Sequence, residues 1–113
     1  MCAKNELNSL LSELTQAYRL VYGDSLVKVI LYGSYARGDY DQDSDIDVVA
    51  LVDGQREILQ QQLKRVWDTA WELELEYETI VSPTVIPYQE FLKYQDDIPY
   101  YRNIVKEGVE LSA

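Results

Sequence analysis

The sequence predicts an α/β fold: a small mixed β-sheet packed with helices. Three observations lead there. Two short β-branched runs, Leu26 to Tyr32 and Val48 to Val52, flank a polar, glycine-bearing connection. Long amphipathic helical patterns stand before and after that pair. A third apolar run, Tyr77 to Ile86, then precedes two shorter helical segments. Strands joined by helices, with helical segments at both ends, form layers around a sheet.

Residues 5–22 set Leu7, Leu10, Leu11, Leu14, Tyr18 and Val21 at three- and four-residue steps, a core-facing helix stopped at Gly23. The first strand spans 26–32 and the second 45–52. In the second, alternation sends Asp45, Asp47, Val49 and Leu51 to one face and Ile46, Val48, Ala50 and Val52 to the other. Residues 56–76 make the longest helix, with Leu59, Leu63, Val66, Trp67, Ala70 and Leu73 on one stripe. Trp67 and Trp71 lie four apart and could meet a partner or a base; core packing is the expectation. The third strand, 77–86, contains Pro83, which cannot donate to a ladder, so it is an edge or breaks there. Two helical turns follow from Tyr88 to Tyr94. A last helix starts around Pro99 and stops at Gly108. Tyr88, Tyr94, Tyr100 and Tyr101 form either a protein interface or part of a tyrosine-rich core.

At 113 residues the chain is expected to be a single domain, 1–113, with room for a modest core. Ten basic against twenty acidic residues give a formal net charge of −10, a field that repels nucleic acid and suits a basic protein partner. No segment reads as a signal peptide or reaches membrane length, and Cys2 is the sole cysteine, so a cytoplasmic location is expected. Histidine is absent, which leaves carboxylates as the side chains for acid–base and metal chemistry.

Residues 33–47, Gly-Ser-Tyr-Ala-Arg-Gly-Asp-Tyr-Asp-Gln-Asp-Ser-Asp-Ile-Asp, concentrate that chemistry. Asp45 and Asp47 share a strand face about 7 Å apart along the chain. Side-by-side carboxylates repel and resist burial unless a cation sits between them, most simply a divalent metal. Gly33 and Ser34 end the first strand and open a short helix through Arg37. Glycine admits a ligand close to the backbone, helix-start amides attract phosphate, and the Ser34 hydroxyl and Arg37 guanidinium can reach the same oxygens. A phosphate cradle facing a metal-binding carboxylate pair is what phosphoryl or nucleotidyl transfer needs. A helix–loop–helix calcium loop counted from Asp39 would need Gly and Glu where Ser44 and Ala50 stand, and helices where strands stand. Asp39, Asp41 and Asp43 read as a solvated turn, Gly38 as a turn former or functional residue, and Ser44 as a local cap or site residue.

Gly33-Ser34, Arg37-Gly38 and Ser44-Asp45-Ile46-Asp47 together resemble the signature of the DNA polymerase beta-like nucleotidyltransferases. More narrowly they resemble the minimal nucleotidyltransferase antitoxins, of the MntA type, that stand beside HEPN-domain ribonuclease toxins. The resemblance implies Mg²⁺ held by Asp45 and Asp47, ATP as substrate with Gly33, Ser34, Arg37 and Ser44 on the nucleotide side, and attack on the α-phosphate. It also implies a further acid on a neighbouring strand. Glu76 and Glu78 stand at the expected start of the third strand, Glu78 being the candidate, with Thr79 where simple matching would put the acid. If neither glutamate serves, two carboxylates and water remain. The chain has no room for a substantial substrate lobe, so the acceptor hydroxyl is expected on another protein. The implied function is adenylylation of a HEPN toxin, with tyrosine as the expected acceptor. The alternatives are an antitoxin that acts by contact alone, and transfer to a small molecule.

Overall fold

The computed structural model describes residues 4–41 and 43–111, so Cys2 lies outside the described residues. Helix α1 is Lys4–Tyr22, followed by a single 3₁₀ turn at Gly23–Ser25 and strand β1, Leu26–Tyr32. Short helix α2, Ser34–Arg37, leads through the acidic turn to β2, Ile46–Val52. Helix α3 is Arg56–Tyr77 and β3 is Val81–Pro87. Helices α4, Tyr88–Tyr94, and α5, Pro99–Glu107, precede β4, Val109–Leu111.

The sheet is mixed, in the order β3-β2-β1-β4. Strand β1 pairs antiparallel with β2 and β4, and β2 pairs parallel with β3 across the α3 crossover. The expected α/β fold is the one observed. Alternation along β2 divides two cores. Ile46, Val48, Ala50 and Val52 pack with α1 and α3 residues such as Leu10, Leu14, Tyr18, Leu63 and Val66. Val49 and Leu51 face the other way, onto Phe91, Tyr101 and Ile104 of α4 and α5.

Pro83 lies in an edge strand, opposite Val48. Hydroxyls gather at that point. Tyr18, fully buried, directs its O–H to the carbonyls of Val48 and Thr84 at 3.2 and 2.8 Å, and the Thr84 hydroxyl reaches the Val48 carbonyl at 3.3 Å. A second set of polar contacts ties the α4–α5 layer to the start of α3: Arg56 meets both Glu90 and the Tyr101 hydroxyl, which itself meets Glu90.

Two expectations are corrected, and one element is new. Tyr77 closes α3 instead of opening a strand, and Glu78 is its C-cap in the left-handed region at φ 52°; β3 begins only at Val81. The helix persists because Tyr77 continues the inward stripe one turn after Leu73 and donates its hydroxyl to Glu13 on α1 at 3.0 Å. Trp67 and Trp71 are not core residues, being 44% and 64% exposed; the buried stripe of α3 is Leu59, Leu63, Val66, Ala70 and Leu73. Strand β4 adds an edge that no sequence pattern announced. Gly108 makes it accessible, since a Cβ there would sit 2.5 Å from both the Ile104 carbonyl oxygen and Ile30 Cγ2.

Candidate active site

The connection from β1 to β2 is held at both ends. The Gly33 carbonyl accepts the amides of Ala36 and Arg37, each at 3.1 Å, which closes the single turn of α2. That leaves the amides of Ser34 and Tyr35 as the first-turn donors without an intrahelical acceptor. The Tyr35 ring stacks on Tyr40 with centroids 4.2 Å apart, pinning the middle of the connection. At the far end Asp41 organises the acidic turn: its Oδ1 accepts the Asp43 amide at 2.9 Å, and its own amide donates to Ser44 Oγ at 3.0 Å. Ser44 thus acts as a local cap. Asp39, Asp41 and Asp43 are exposed, in keeping with the solvated turn expected of them.

Asp45 stands one residue before the β2 ladder and is exposed, while Asp47 is within it and half-buried. In register with Tyr32, Asp47 turns its carboxylate onto the end of β1. Contact there is tight: a Cβ on Gly33 would lie 2.7 Å from Asp47 Oδ2. Gly33 also adopts φ 79° and ψ −154°, a combination essentially reserved for glycine. Two independent constraints therefore require glycine beside this carboxylate. Burial pushes the Asp47 carboxyl above its usual range, and the Asp45 charge pushes it further. Among the described residues neither Asp45 nor Asp47 is paired with a lysine or arginine.

An uncompensated, partly desolvated pair of carboxylates fits a hard divalent cation whose remaining ligands are water. No group of three or more Asp, Glu, Cys or His side chains gathers into a metal-holding cluster among the described residues. Glu78 does not stand on the strand beside Asp47. With Asp43, Ser44, Trp71, Leu75 and Ile80 it lines a surface recess of about 430 Å³ at the end of α3. Glu76 lies in the last turn of that helix. The β3 residue in register with Asp47 is Ser82, and Thr84 follows on the same face. Arg37 is turned outward to Asp39 and Glu107, at 3.2 and 3.4 Å.

Sequence reasoning missed Ser82 and Thr84 in this setting, and also a pair of aromatic rings. Tyr32, the register partner of Asp47, meets Tyr100 of α5 edge-on with centroids 5.5 Å apart. Burial chiefly raises the Tyr100 phenol, with the Asp47 charge adding to it. Only the true start of β3 would have revealed the two hydroxyls, because alternation assigns faces once a register is known.

The nucleotidyltransferase domain family matches residues 8–111, nearly the whole chain. The chain belongs to that family. A relative from Methanocaldococcus jannaschii, named "Putative protein adenylyltransferase MJ0141", is 33% identical over 98 residues, covering 85% of this chain and 95% of the relative. Among solved structures, one described as a toxin-antitoxin with AMP-PNP superposes with a TM-score of 0.57 at 20% identity, covering 94% of this chain and 73% of that one. Another, a mutant of the toxin-antitoxin MntA-HpeT, gives a TM-score of 0.52 at 22% identity, covering all of this chain and 74% of that one. These superpositions establish a shared fold. In this nucleotidyltransferase that fold sets the Gly33–Ser34 turn and Asp47 against one another at neighbouring strand ends. No helix among the described residues is long and apolar enough to cross a membrane.

Proposed function

We propose that this nucleotidyltransferase transfers AMP from ATP to a hydroxyl on a cognate HEPN-type ribonuclease toxin, most simply a tyrosine, and thereby neutralises it. The observation that carries the reading is the uncompensated Asp45–Asp47 pair, with Gly33 pressed against the Asp47 carboxylate. Relatives named as protein adenylyltransferases and toxin-antitoxin structures of the same fold favour a protein acceptor.

In this mechanism Asp45 and Asp47 would hold Mg²⁺, which when bound supplies charge neutralisation for the triphosphate. The chain's own groups position the rest. Gly33 lets the phosphates approach the backbone, and the Ser34 hydroxyl and the two first-turn amides donate to their oxygens. Arg37 contributes once it leaves Asp39, which is exposed, and Glu107, which is partly exposed, at surface contacts whose hold is weak. The acceptor oxygen forms a bond to the α-phosphorus while the bond to pyrophosphate breaks. A phenol, with pKa about 10, releases its proton more readily than an aliphatic hydroxyl. No third carboxylate joins the pair among the described residues, so the proton passes to water or to a group the partner brings.

That same shortage favours a second reading, an antitoxin that blocks its partner by contact with a nucleotide site no longer catalytic. Incubation of the protein with its partner, ATP and Mg²⁺ separates the two. Transfer predicts an added adenylate on the partner by mass spectrometry, loss of the partner's ribonuclease activity, and failure of both with Asp45→Asn or Asp47→Asn. Full silencing by either variant, or without ATP, would establish contact as the mechanism.

A further inference from the structure

Trp67, Trp71 and Leu75 follow one another at four-residue steps on the outer side of α3, and Ile80, beyond the helix end, lines the same recess as Trp71 and Leu75. They are 44%, 64%, 68% and 54% exposed. The opposite side of α3 already supplies its core contacts through Leu59, Leu63, Val66, Ala70 and Leu73. A contiguous apolar ridge rimmed by polar groups marks an interaction site, and tryptophan is the residue type most enriched at the centre of one. From Trp67 to Leu75 the helix rises about 12 Å, a length that a little over two turns of a partner helix would cover.

The rim chooses the occupant. Asp43, Glu74 and Glu78 line the recess beside Trp71, Leu75 and Ile80, and Asp68 is exposed on the same stretch of helix; Lys64, exposed one turn before Trp67, sets one base against these four acids. A second copy of this chain would bring the same acids against themselves, on a protein of formal net charge −10. An anionic lipid surface or a nucleic acid meets the same repulsion. We propose that this ridge docks a basic amphipathic segment of another protein, with apolar side chains seated on Trp67, Trp71 and Leu75 and lysines or arginines facing Asp43, Glu74 and Glu78. The ridge lies on α3, which covers the opposite side of the sheet from Asp47, and its recess reaches Asp43 and Ser44 just before Asp45; the apolar contacts on Trp67, Trp71 and Leu75 do not depend on whether the chain transfers nucleotides.

Both tryptophans of the chain lie on the ridge, so intrinsic fluorescence reports its occupancy directly. The probes are a short amphipathic helical peptide with a leucine and phenylalanine face flanked by lysines, and its counterpart with glutamates in place of the lysines. The lysine peptide is expected to give a saturable blue shift that weakens as salt rises, and the glutamate peptide none. Trp71→Ala and Leu75→Ser, both at exposed positions, should each weaken binding about tenfold or more with an unchanged thermal midpoint. Equal binding of both peptides, or of neither, overturns the proposal. So does binding that survives both substitutions. A blue shift that grows with protein concentration alone, with dimers in sedimentation, would assign the ridge to a second copy; one given by neutral vesicles and not by the lysine peptide would assign it to lipid.

Discussion

The two faces of the sheet are built from the same strands and finished differently. Toward α1 and α3, every position of β2 that points that way, from Ile46 to Val52, meets a buried partner, and the face is sealed along its length. Toward α4 and α5 the cover is smaller: Val49 and Leu51 are enclosed, while Asp47 is half-buried and Thr84 is exposed. A sealed face supports stability, and a partly covered one leaves carboxylates and hydroxyls where a ligand can reach them. The candidate site lies where the second layer stops.

The widest expected split between the faces concerns Asp47. Asp47→Asn should lower nucleotidyl transfer roughly a hundredfold or more, measured with ATP and Mg²⁺ in excess. Stability should move the other way. Burial, and then Asp45, raise the Asp47 carboxyl, so the folded state favours its protonated form. That contribution is complete below the unfolded carboxylate pKa of about 3.9 and is lost as pH rises through the folded value. At neutral pH the ionised group therefore weighs against folding. In the presence of a chelator Asp47→Asn should melt at an equal or higher temperature than the parent, and the gap should close as pH approaches the carboxylate range. A variant that loses stability at pH 7 would contradict this.

On the sealed face, Ile46→Ala removes a fully buried side chain and should cost about 3 kcal/mol in urea unfolding, with one cooperative transition. A smaller cost than that of Ile104→Ala on the opposite side would reverse the comparison. Gly33→Ala joins the faces' boundary to the site. It demands a residue in a glycine-only conformation and a Cβ 2.7 Å from Asp47 Oδ2, so a loss of about 2 kcal/mol and a drop in transfer are expected together. The smallest effect belongs to Asp41→Asn. The amide oxygen can still accept from Asp43, and stability should change by less than about 0.5 kcal/mol.

Much of this division was legible in the sequence. Alternation from Ile46 to Val52 assigned each side chain to the face it occupies, because one strand with apolar residues on both sides must be covered twice. The Gly33-Ser34 turn and the acid pair were legible because few local structures need those residues in that order. The start of β3 was not, since Tyr77 to Ile80 has strand composition and the contacts that make Tyr77 helical lie on α1, more than sixty residues earlier. Trp67 and Trp71 misled for a different reason. Trp67 adjoins Val66, about 100° around the helix, and a broad stripe drawn from periodicity alone cannot say which of two adjacent residues lies outside it. Strand β4 is three residues long, and its only evidence is its partner.

The Tyr18 hydroxyl, set against the carbonyls of Val48 and Thr84, bears on the order in which the molecule assembles. Strands β1 and β2 are neighbours in sequence and can zip early, whereas the parallel β2–β3 pair waits for all of α3 to cross over. A contact between residues 66 positions apart then fastens that late seam from the N-terminal helix. Such a latch is expected to close after the rate-limiting step. Tyr18→Phe should leave the refolding rate in stopped-flow measurements nearly unchanged and quicken unfolding several-fold, so that the first helix governs how long the native protein persists more than how quickly it forms.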